Sequence, residues 1–258
     1  MTVIKNTIDP TELQNKLFTS TAPIVIDVRK LPAFDQSGRI IPTACWQDYL
    51  QTGIWGQGLS EDTEIVLYCV HGHQVSQTAA ALLQSTGKKA RYLRGGFAAW
   101  QTMNGSTVAA QAAQKHQLAA WLTHERPSID RIACYWLIRR FINPQATVFW
   151  VDQQYGKEIC QECQALSFAF DYDSVPLSSA DNSSFARLIQ QFQITDPVLS
   201  QLAGIVNAAT AEDFTRATQA SGLACVIAGI VSIYKSGPEC SAQGLQILDA
   251  LYSGLTKL

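Results

Sequence analysis

The chain has 258 residues, of which 47% are hydrophobic, and it carries a formal net charge of -2 with a pI of about 6.1. A chain of this length can bury substantial cores and is long enough to form two domains. The slightly acidic balance gives none of the basic surface that nucleic-acid phosphates or anionic lipids demand, so both classes of partner are disfavoured.

The first residues lack a long apolar core behind a basic start, which disfavours a signal peptide. No apolar run reaches the roughly 18 residues of a membrane span, and the most apolar segment covers only residues 222–234. Seven cysteines are scattered through the chain, and in a reducing compartment most of them should be free thiols. We therefore expect a soluble cytoplasmic protein without a membrane partner.

The first half of the sequence alternates short strand-like and helix-like runs. Continuous apolar strands between helices are typical of an α/β fold, with a parallel sheet covered by helices on both faces. In chain order, the pattern predicts strands over residues 22–29 and 63–70, a helix over 76–87, a strand over 89–93 and a helix over 97–103.

Residues 104–117 are small and polar with little apolar periodicity. We predict a first domain over residues 1–106, a linker over 107–117 and a second domain over 118–258. The second domain should be mainly helical, because apolar residues recur in it at three-to-four spacing. Its predicted elements are helices over residues 129–142, 183–192, 197–209 and 222–235, with one strand over 147–151.

Cys69 stands where the second predicted strand ends and a loop toward the next helix begins. A thiol attacks as a thiolate, yet its ordinary pKa of about 8.5 leaves it mostly protonated at neutral pH. A tight loop that leads into a helix N-terminus aims backbone N–H groups and the helix dipole at the sulfur. Gly72 allows such a loop to curl. The pattern predicts a nucleophilic cysteine in an anion-stabilising loop, and the alternative is a buried thiol with a packing role.

Four segments of the first half occur in the order of the single-domain rhodanese pattern: "DVR" at 27–29, "GRIIPTA" at 38–44, "CVHG" at 69–72 and "LRGGFAAW" at 93–100. Residues 1–104 thus resemble a rhodanese. The resemblance implies a rhodanese-like fold and a sulfurtransferase without a cofactor. Its Cys69 would accept a sulfane sulfur from a small donor, carry it as a persulfide and pass it to a thiol or cyanide-type acceptor. The implied substrate-binding residues are Val70, His71, Gly72, His73, Gln74 and Val75.

The loop departs from the commonest rhodanese form at Gln74, where that form has an arginine. Without the arginine fork, a small persulfide donor fits as well as thiosulfate, and a phosphatase or arsenate-reductase activity is disfavoured. Without that arginine, the positive charge of the loop would come from backbone N–H groups and from whatever protonation His71 and His73 reach, since an unperturbed histidine is only partly charged at pH 7. The two histidines and Cys69 lie too close along the chain for tetrahedral metal coordination, so we predict no metal at this loop.

The second half opens with "WLTHERPSIDRIACYWLIRRFINPQATVFWV" at Trp121. This stretch resembles the start of the C-terminal domain of the chromate-resistance protein ChrB, and the resemblance covers residues 118–258. It implies a connection to chromate or oxidative stress. Arg126 and Arg131 lie near a helix start and are candidate oxyanion ligands, the alternative being an ordinary solvated charged face. Ser178 and Thr210 replace a histidine and an aspartate of the family pattern, which would remove a metal site or acid–base pair there.

Three hypotheses for the function stay open. The first is a sulfurtransferase that uses a small sulfur donor and a thiol acceptor. The second is a stress sensor or regulator, for which Arg131, Arg139 and Arg140 offer a local basic patch. The third is a scaffold that delivers persulfide sulfur to an acceptor protein. Cys160 and Cys163 add the spacing of half a zinc site or of a redox dithiol, without a second pair at comparable spacing.

Overall fold

The structure is a computed structural model and describes residues 6–116, 119–170 and 183–257. The chain divides into two compact units, Met1–Gln114 and Lys115–Leu258. Across the described ranges, no helix combines the length and the apolar character needed to cross a membrane.

The strands of the first unit alternate with helices along the chain. The described strands are β1 (Thr7–Ile8), β2 (Ile24–Asp27), β3 (Arg39–Ile40), β4 (Cys45–Trp46), β5 (Glu64–Tyr68), β6 (Lys89–Leu93) and β7 (Val108–Ala109). Five of them form a parallel sheet in the order β1-β6-β5-β2-β4, while β3 and β7 pair antiparallel with each other. The expected α/β fold with a parallel sheet is confirmed.

Helices flank this sheet, and short 3₁₀ turns cover residues 49–51 and 56–58. The described helices are α1 (Pro10–Leu17), α2 (Leu31–Ser37), α3 (Thr52–Trp55), α4 (Gln74–Ser85), α5 (Gly96–Thr102) and α6 (Ala110–His116). Residues 107–117, the predicted linker, contain β7 and α6, and residue 117 itself lies outside the described ranges.

The core of the first unit explains why β2, β5 and α4 lie together. Four residues of β5, Ile65 to Tyr68, are fully buried, as expected for a central strand covered on both faces. In α4 the buried side chains are Ser76, Ala79, Ala80 and Leu83. Their spacing places them on one helical face, so α4 presents small residues to the sheet and its first turn lies close to the end of β5.

An ion-pair cluster fixes the start of β5. The Glu64 carboxylate lies 2.6 Å from Lys16 Nζ and 2.9 Å from Arg91 Nη1. Burial alone would raise the pKa of Glu64, but the hydrogen bonds and charges of these two basic residues outweigh it and lower that pKa below its usual value. The ionised carboxylate therefore stabilises the folded state.

The second unit combines a small parallel sheet with a majority of helices. The described elements are β8 (Trp121–His124), α7 (Ile129–Leu137), β9 (Val148–Val151), α8 (Gln153–Glu162), β10 (Leu166–Ser167), α9 (Ser184–Gln191), α10 (Leu199–Thr210), α11 (Ala220–Ile233) and α12 (Gly237–Leu255), with a π-helical turn over 138–142. The strand order is β10-β8-β9. The expected mainly helical second region is confirmed.

Helix α7 is the centre of the second unit. Ser128 caps it by accepting a hydrogen bond from the Arg131 amide. Trp136 is fully buried, and its indole N–H donates to Asp249 of α12 at 2.8 Å. The same carboxylate accepts two hydrogen bonds from Arg140, at 2.8 and 2.7 Å. This bidentate pair ties the end of the α7 segment to α12.

Candidate active site

Cys69 follows β5 directly and is 6% exposed. Its Sγ atom lies 3.2 Å from the hydroxyl oxygen of Ser76, a fully buried residue in the first turn of α4. The Ser76 hydroxyl also lies 3.3 Å from the His73 carbonyl oxygen. A hydroxyl in this position can donate to the carbonyl when the sulfur is a thiol and to the sulfur when it is a thiolate.

The loop around Cys69 offers a run of uncommitted backbone donors. In the part of the chain that the structure describes, none of the N–H groups of residues 70–76 donates a hydrogen bond to a protein acceptor. Successive backbone N–H groups of this kind form concave anion-binding sites, and α4 adds the positive end of its dipole. The loop can therefore stabilise a thiolate, a persulfide anion or an oxyanion.

Two N–H groups in the first turn of helix α5 donate hydrogen bonds to this loop. The Phe97 amide donates to the Cys69 carbonyl at 2.9 Å, and the Ala98 amide donates to the Val70 carbonyl at 2.9 Å. Gly96 makes the contact possible, because it has φ +60 and a Cβ there would lie 2.3 Å from the Cys69 carbonyl oxygen. The "LRGG" segment is thus explained by the close approach of α5 to the cysteine loop.

A buried ion pair supports the neighbouring strand end. Asp27 and Arg29 are 0% and 2% exposed, and Arg29 Nε lies 2.9 Å from both carboxylate oxygens. The Arg29 guanidinium also packs 4.3 Å from the centre of the Phe97 ring. Burial alone would lower the pKa of Arg29, but its contacts with Asp27 raise it above the ordinary value. This arginine is a fixed structural cation.

A cavity of about 480 Å³ opens beside Cys69. The end of β2 and the start of α2 form one wall, since Asp27 and Tyr68 are paired across β2 and β5. Carboxyl ends of neighbouring parallel strands form such crevices in α/β folds. The cavity lining brings together Cys69, Val70, His71, His73, Gln74 and Val75 with Arg29, Lys30 and Ala33.

The structure therefore places Cys69 and five of the six predicted loop residues on the lining of one cavity, while Gly72 is not among the lining residues. Gly72 has φ +68, and a Cβ on it would lie 2.5 Å from the Leu93 carbonyl oxygen, so only glycine fits. The His71 and His73 ring centres are 6.0 Å apart. Within the described residues, no three His, Cys, Asp or Glu side chains cluster so as to hold a metal ion.

Lys30, Ala33 and Ser76 belong to the site but are not predicted from the sequence. Lys30 lines the cavity from the end of β2, and Ser76 contacts the sulfur from α4. The sequence does contain a signal for Lys30, because it follows the "DVR" segment and carboxyl ends of parallel strands share one edge. Ser76 lies seven positions after Cys69, and only the curl of the loop brings the two together.

The candidate oxyanion ligands of the second unit lie at the start of α7. Arg126 is exposed. Arg131 Nε donates to the Ala169 carbonyl at 3.0 Å, and its Nη1 donates to the Arg126 carbonyl at 3.2 Å. The guanidinium of Arg131 thus connects two loops, and oxyanion binding by this pair stays a prediction.

Thr210, Cys160 and Cys163 are further candidate positions of this unit that the structure describes. Thr210 lines a groove of about 770 Å³ together with residues of α10 and α11. Ser178 lies outside the described residues. Cys134 is fully buried, and burial, with Asp130 beside it, raises the pKa of its thiol well above the ordinary value. Cys160 donates to the Ala165 carbonyl at 3.0 Å.

The two units match two known families. Residues 9–103 match the rhodanese-like domain, and residues 121–255 match the family described as ChrB, C-terminal domain. The latter match covers more than half of the chain. The chain belongs to the ChrB C-terminal domain family. Its first unit is a rhodanese-like domain.

Individual relatives agree with these matches. Protein ChrB of Cupriavidus metallidurans is 29% identical over 141 residues, which cover 54% of this chain and 41% of ChrB. This chain therefore spans less than half of that relative.

Among solved structures, a rhodanese-related protein from Thermoplasma volcanium is 20% identical and has a TM-score of 0.36, covering 41% of this chain and 99% of its own. A rhodanese-like domain protein from Staphylococcus aureus is 24% identical with a TM-score of 0.34, covering 37% of this chain and 91% of its own.

Proposed function

We propose that the protein is a sulfurtransferase in which Cys69 carries sulfane sulfur as a persulfide. The observation that carries the proposal is the loop itself, where Cys69 lies beside a cavity and seven successive N–H groups, those of residues 70–76, lack a protein acceptor within the described ranges. Preorganised donors of this kind stabilise negative charge without reorganisation during the reaction.

With thiosulfate as donor, the Cys69 thiolate attacks the outer sulfur. A bond forms between Sγ and that sulfur, and the bond between the two thiosulfate sulfurs breaks. The electron pair of the broken bond leaves with sulfite, so one thiolate and one thiosulfate dianion become one persulfide anion and one sulfite dianion. The charge moves outward by one sulfur atom, toward the N–H groups of the loop.

The second half-reaction returns the enzyme to its starting state. An acceptor thiolate attacks the outer sulfur of the persulfide, and the electron pair of the S–S bond returns to Cys69 Sγ. The acceptor leaves as a persulfide, while cyanide in the same position would leave as thiocyanate. Ser76, at 3.2 Å, can donate a hydrogen bond to the returning thiolate.

The cavity is large enough for donors other than thiosulfate. Since one water molecule occupies about 30 Å³ of the liquid, a cavity of about 480 Å³ has room for an organic hydropersulfide of many heavy atoms. Val70, Val75 and Ala33 supply apolar wall for its carbon atoms. We propose both donor classes.

A second candidate function is a stress sensor of the ChrB type, favoured by the family match over residues 121–255. Such a protein would respond to an oxyanion or to redox stress with little turnover. One arginine of the expected basic patch, Arg140, is 9% exposed and paired with Asp249. This arrangement weakens a nucleic-acid-binding role for the patch.

Sulfur loading followed by intact-protein mass tests the proposed function. Incubation with thiosulfate or cysteine hydropersulfide should add about 32 Da, the mass of one sulfur, to the wild type. Cys69→Ser should abolish the addition, and the exposed Cys225→Ser should retain it as the matched control. Catalytic turnover with an added thiol favours the enzyme, whereas loading without turnover favours the sensor. A wild type that takes up no sulfur from either donor would contradict the proposal.

A further inference from the structure

We infer that Lys30 determines donor specificity at Cys69, supplying the positive charge that attracts anionic sulfur donors to the cavity. The inference rests on the proposed function for the identity of the donors, but it makes a separate claim about the electrostatics around the sulfur. Gln74, at the end of the loop, has a neutral side chain and cannot supply this positive charge, whereas Lys30 can.

A nearby cation favours the reaction of an anionic donor with a thiolate. Both reactants are negative, so their approach is opposed by Coulomb repulsion that is stronger in a partly enclosed cavity than in open water. Backbone N–H groups contribute partial charges only. Gln74 is neutral, and the exposed His71 and His73 carry imidazoles rather than permanently charged groups.

Arg29 also lines the cavity, but its charge is already compensated. Its guanidinium donates to both oxygens of the buried Asp27 carboxylate and to the Arg39 carbonyl. The stacking of the guanidinium against Phe97 holds it in this orientation. At the distance of a donor in the cavity, the Arg29 and Asp27 pair acts nearly as a neutral unit.

Of the two lysine and arginine residues that line the cavity, Lys30 is the one without a neighbouring counter-charge among the described residues. It is exposed and lines the same cavity as Cys69, and its ammonium has no ion pair or hydrogen bond with any described residue. The residues that line the cavity include no carboxylate. A positive charge at this position is therefore not cancelled within the cavity and can act on a bound anion.

The backbone of Lys30 is fixed, so its side chain starts from a defined place. Lys30 directly precedes α2, and its backbone carbonyl accepts hydrogen bonds from the amides of Ala33 and Phe34. The preceding carbonyl, that of Arg29, accepts a hydrogen bond from the Trp46 indole at 2.8 Å. Only the aliphatic side chain of the lysine is therefore flexible, and its rotation can place the ammonium next to donors of different size.

Two alkylating agents of similar size and different charge test the inference without any sulfur donor. Iodoacetate is an anion and iodoacetamide is neutral, and the ratio of their rate constants at Cys69, measured by peptide mass spectrometry, reports the local charge. Lys30→Gln should lower this ratio about five- to twentyfold, the range expected for loss of a partly screened charged contact. Lys30→Arg should restore it to within about twofold.

The matched control is Lys157→Gln, which makes the same change in net charge at an exposed position of α8 in the second unit. It should leave the ratio unchanged. An unaltered ratio in Lys30→Gln would overturn the inference. Equal slowing of both reagents would also overturn it, because that result would show that Lys30 acts on the thiol or on the loop and not on the charge of the reagent.

Sulfur loading then separates this inference from the proposed function. Lys30→Gln should slow loading from thiosulfate about five- to twentyfold. If the wild type loads sulfur and Lys30→Gln loads thiosulfate equally fast, the inference alone fails. If the wild type loads no sulfur, the proposed function fails, while the alkylation ratio still decides the role of Lys30.

Discussion

Gly96→Ala tests how the end of β6 and the start of α5 support the cysteine loop. An alanine Cβ at this position would lie 2.3 Å from the Cys69 carbonyl oxygen, 2.5 Å from the Gly72 nitrogen and 2.7 Å from the Val70 carbonyl oxygen. All three are backbone atoms, so no side-chain rotation can relieve the contacts. The left-handed backbone conformation adds about 1 kcal/mol for a residue with a Cβ.

The loop would have to move away from α5 and weaken the two hydrogen bonds that α5 donates to it, each with a net value of about 1 kcal/mol. We expect Gly96→Ala to lower the free energy of unfolding of the first unit by about 3 to 4 kcal/mol. Urea unfolding measures the loss, and hydrogen exchange of peptides from β5 and α4 locates it. Gly58→Ala is the control, because a Cβ there has no atom within 4 Å. Equal stability of the two variants would refute the reasoning.

Three further predictions concern a hydroxyl, a carboxylate and an ion pair. Ser76→Ala should slow alkylation of Cys69 at neutral pH several-fold without unfolding the protein, because the thiolate loses a hydrogen-bond donor; an unchanged rate contradicts this. The lowered pKa of Glu64 means that its contribution to stability is present above the unfolded pKa of about 4.3 and disappears as pH falls through the folded value. Glu64→Gln should therefore reduce stability near neutrality but not in acid, as measured by urea unfolding at both pH values. Asp249→Asn should destabilise the second unit by about 2 to 3 kcal/mol, since it leaves the largely buried Arg140 without its counter-charge. The double variant Asp249→Asn with Arg140→Met should regain much of the lost free energy of unfolding, as measured by urea unfolding.

Strong periodicity made several elements of the fold predictable from the sequence. The strand predicted over residues 63–70 is β5 (Glu64–Tyr68), and the helix predicted over 76–87 is α4 (Gln74–Ser85). Both have apolar patterns set by burial against the same core. The helix predicted over 129–142 ends its α-helical part at Leu137 and continues as a π-helical turn, a change of hydrogen bonding that residue propensities do not encode.

Two of the missed elements are short strands whose burial depends on distant parts of the chain. All four residues of the strand β8 (Trp121–His124) are buried, but four residues are too few to show a period. The strand β10 (Leu166–Ser167) exists only as a partner of β8.

The same reasoning applies to the candidate site. The loop from Cys69 to Val75 is contiguous and could be predicted as one unit, whereas Lys30 joins it only through the pairing of β2 with β5.

A single-turnover transfer experiment tests the central claim most directly. The protein is loaded with thiosulfate labelled in its outer sulfur, freed of excess donor and mixed with a small thiol, while peptide mass spectrometry follows the label on Cys69. The proposed function expects one labelled sulfur on Cys69 before the thiol is added and its quantitative appearance as the persulfide of that thiol afterwards. A label that never enters Cys69, or that enters it and stays there in the presence of the thiol, would contradict a sulfurtransferase at this site.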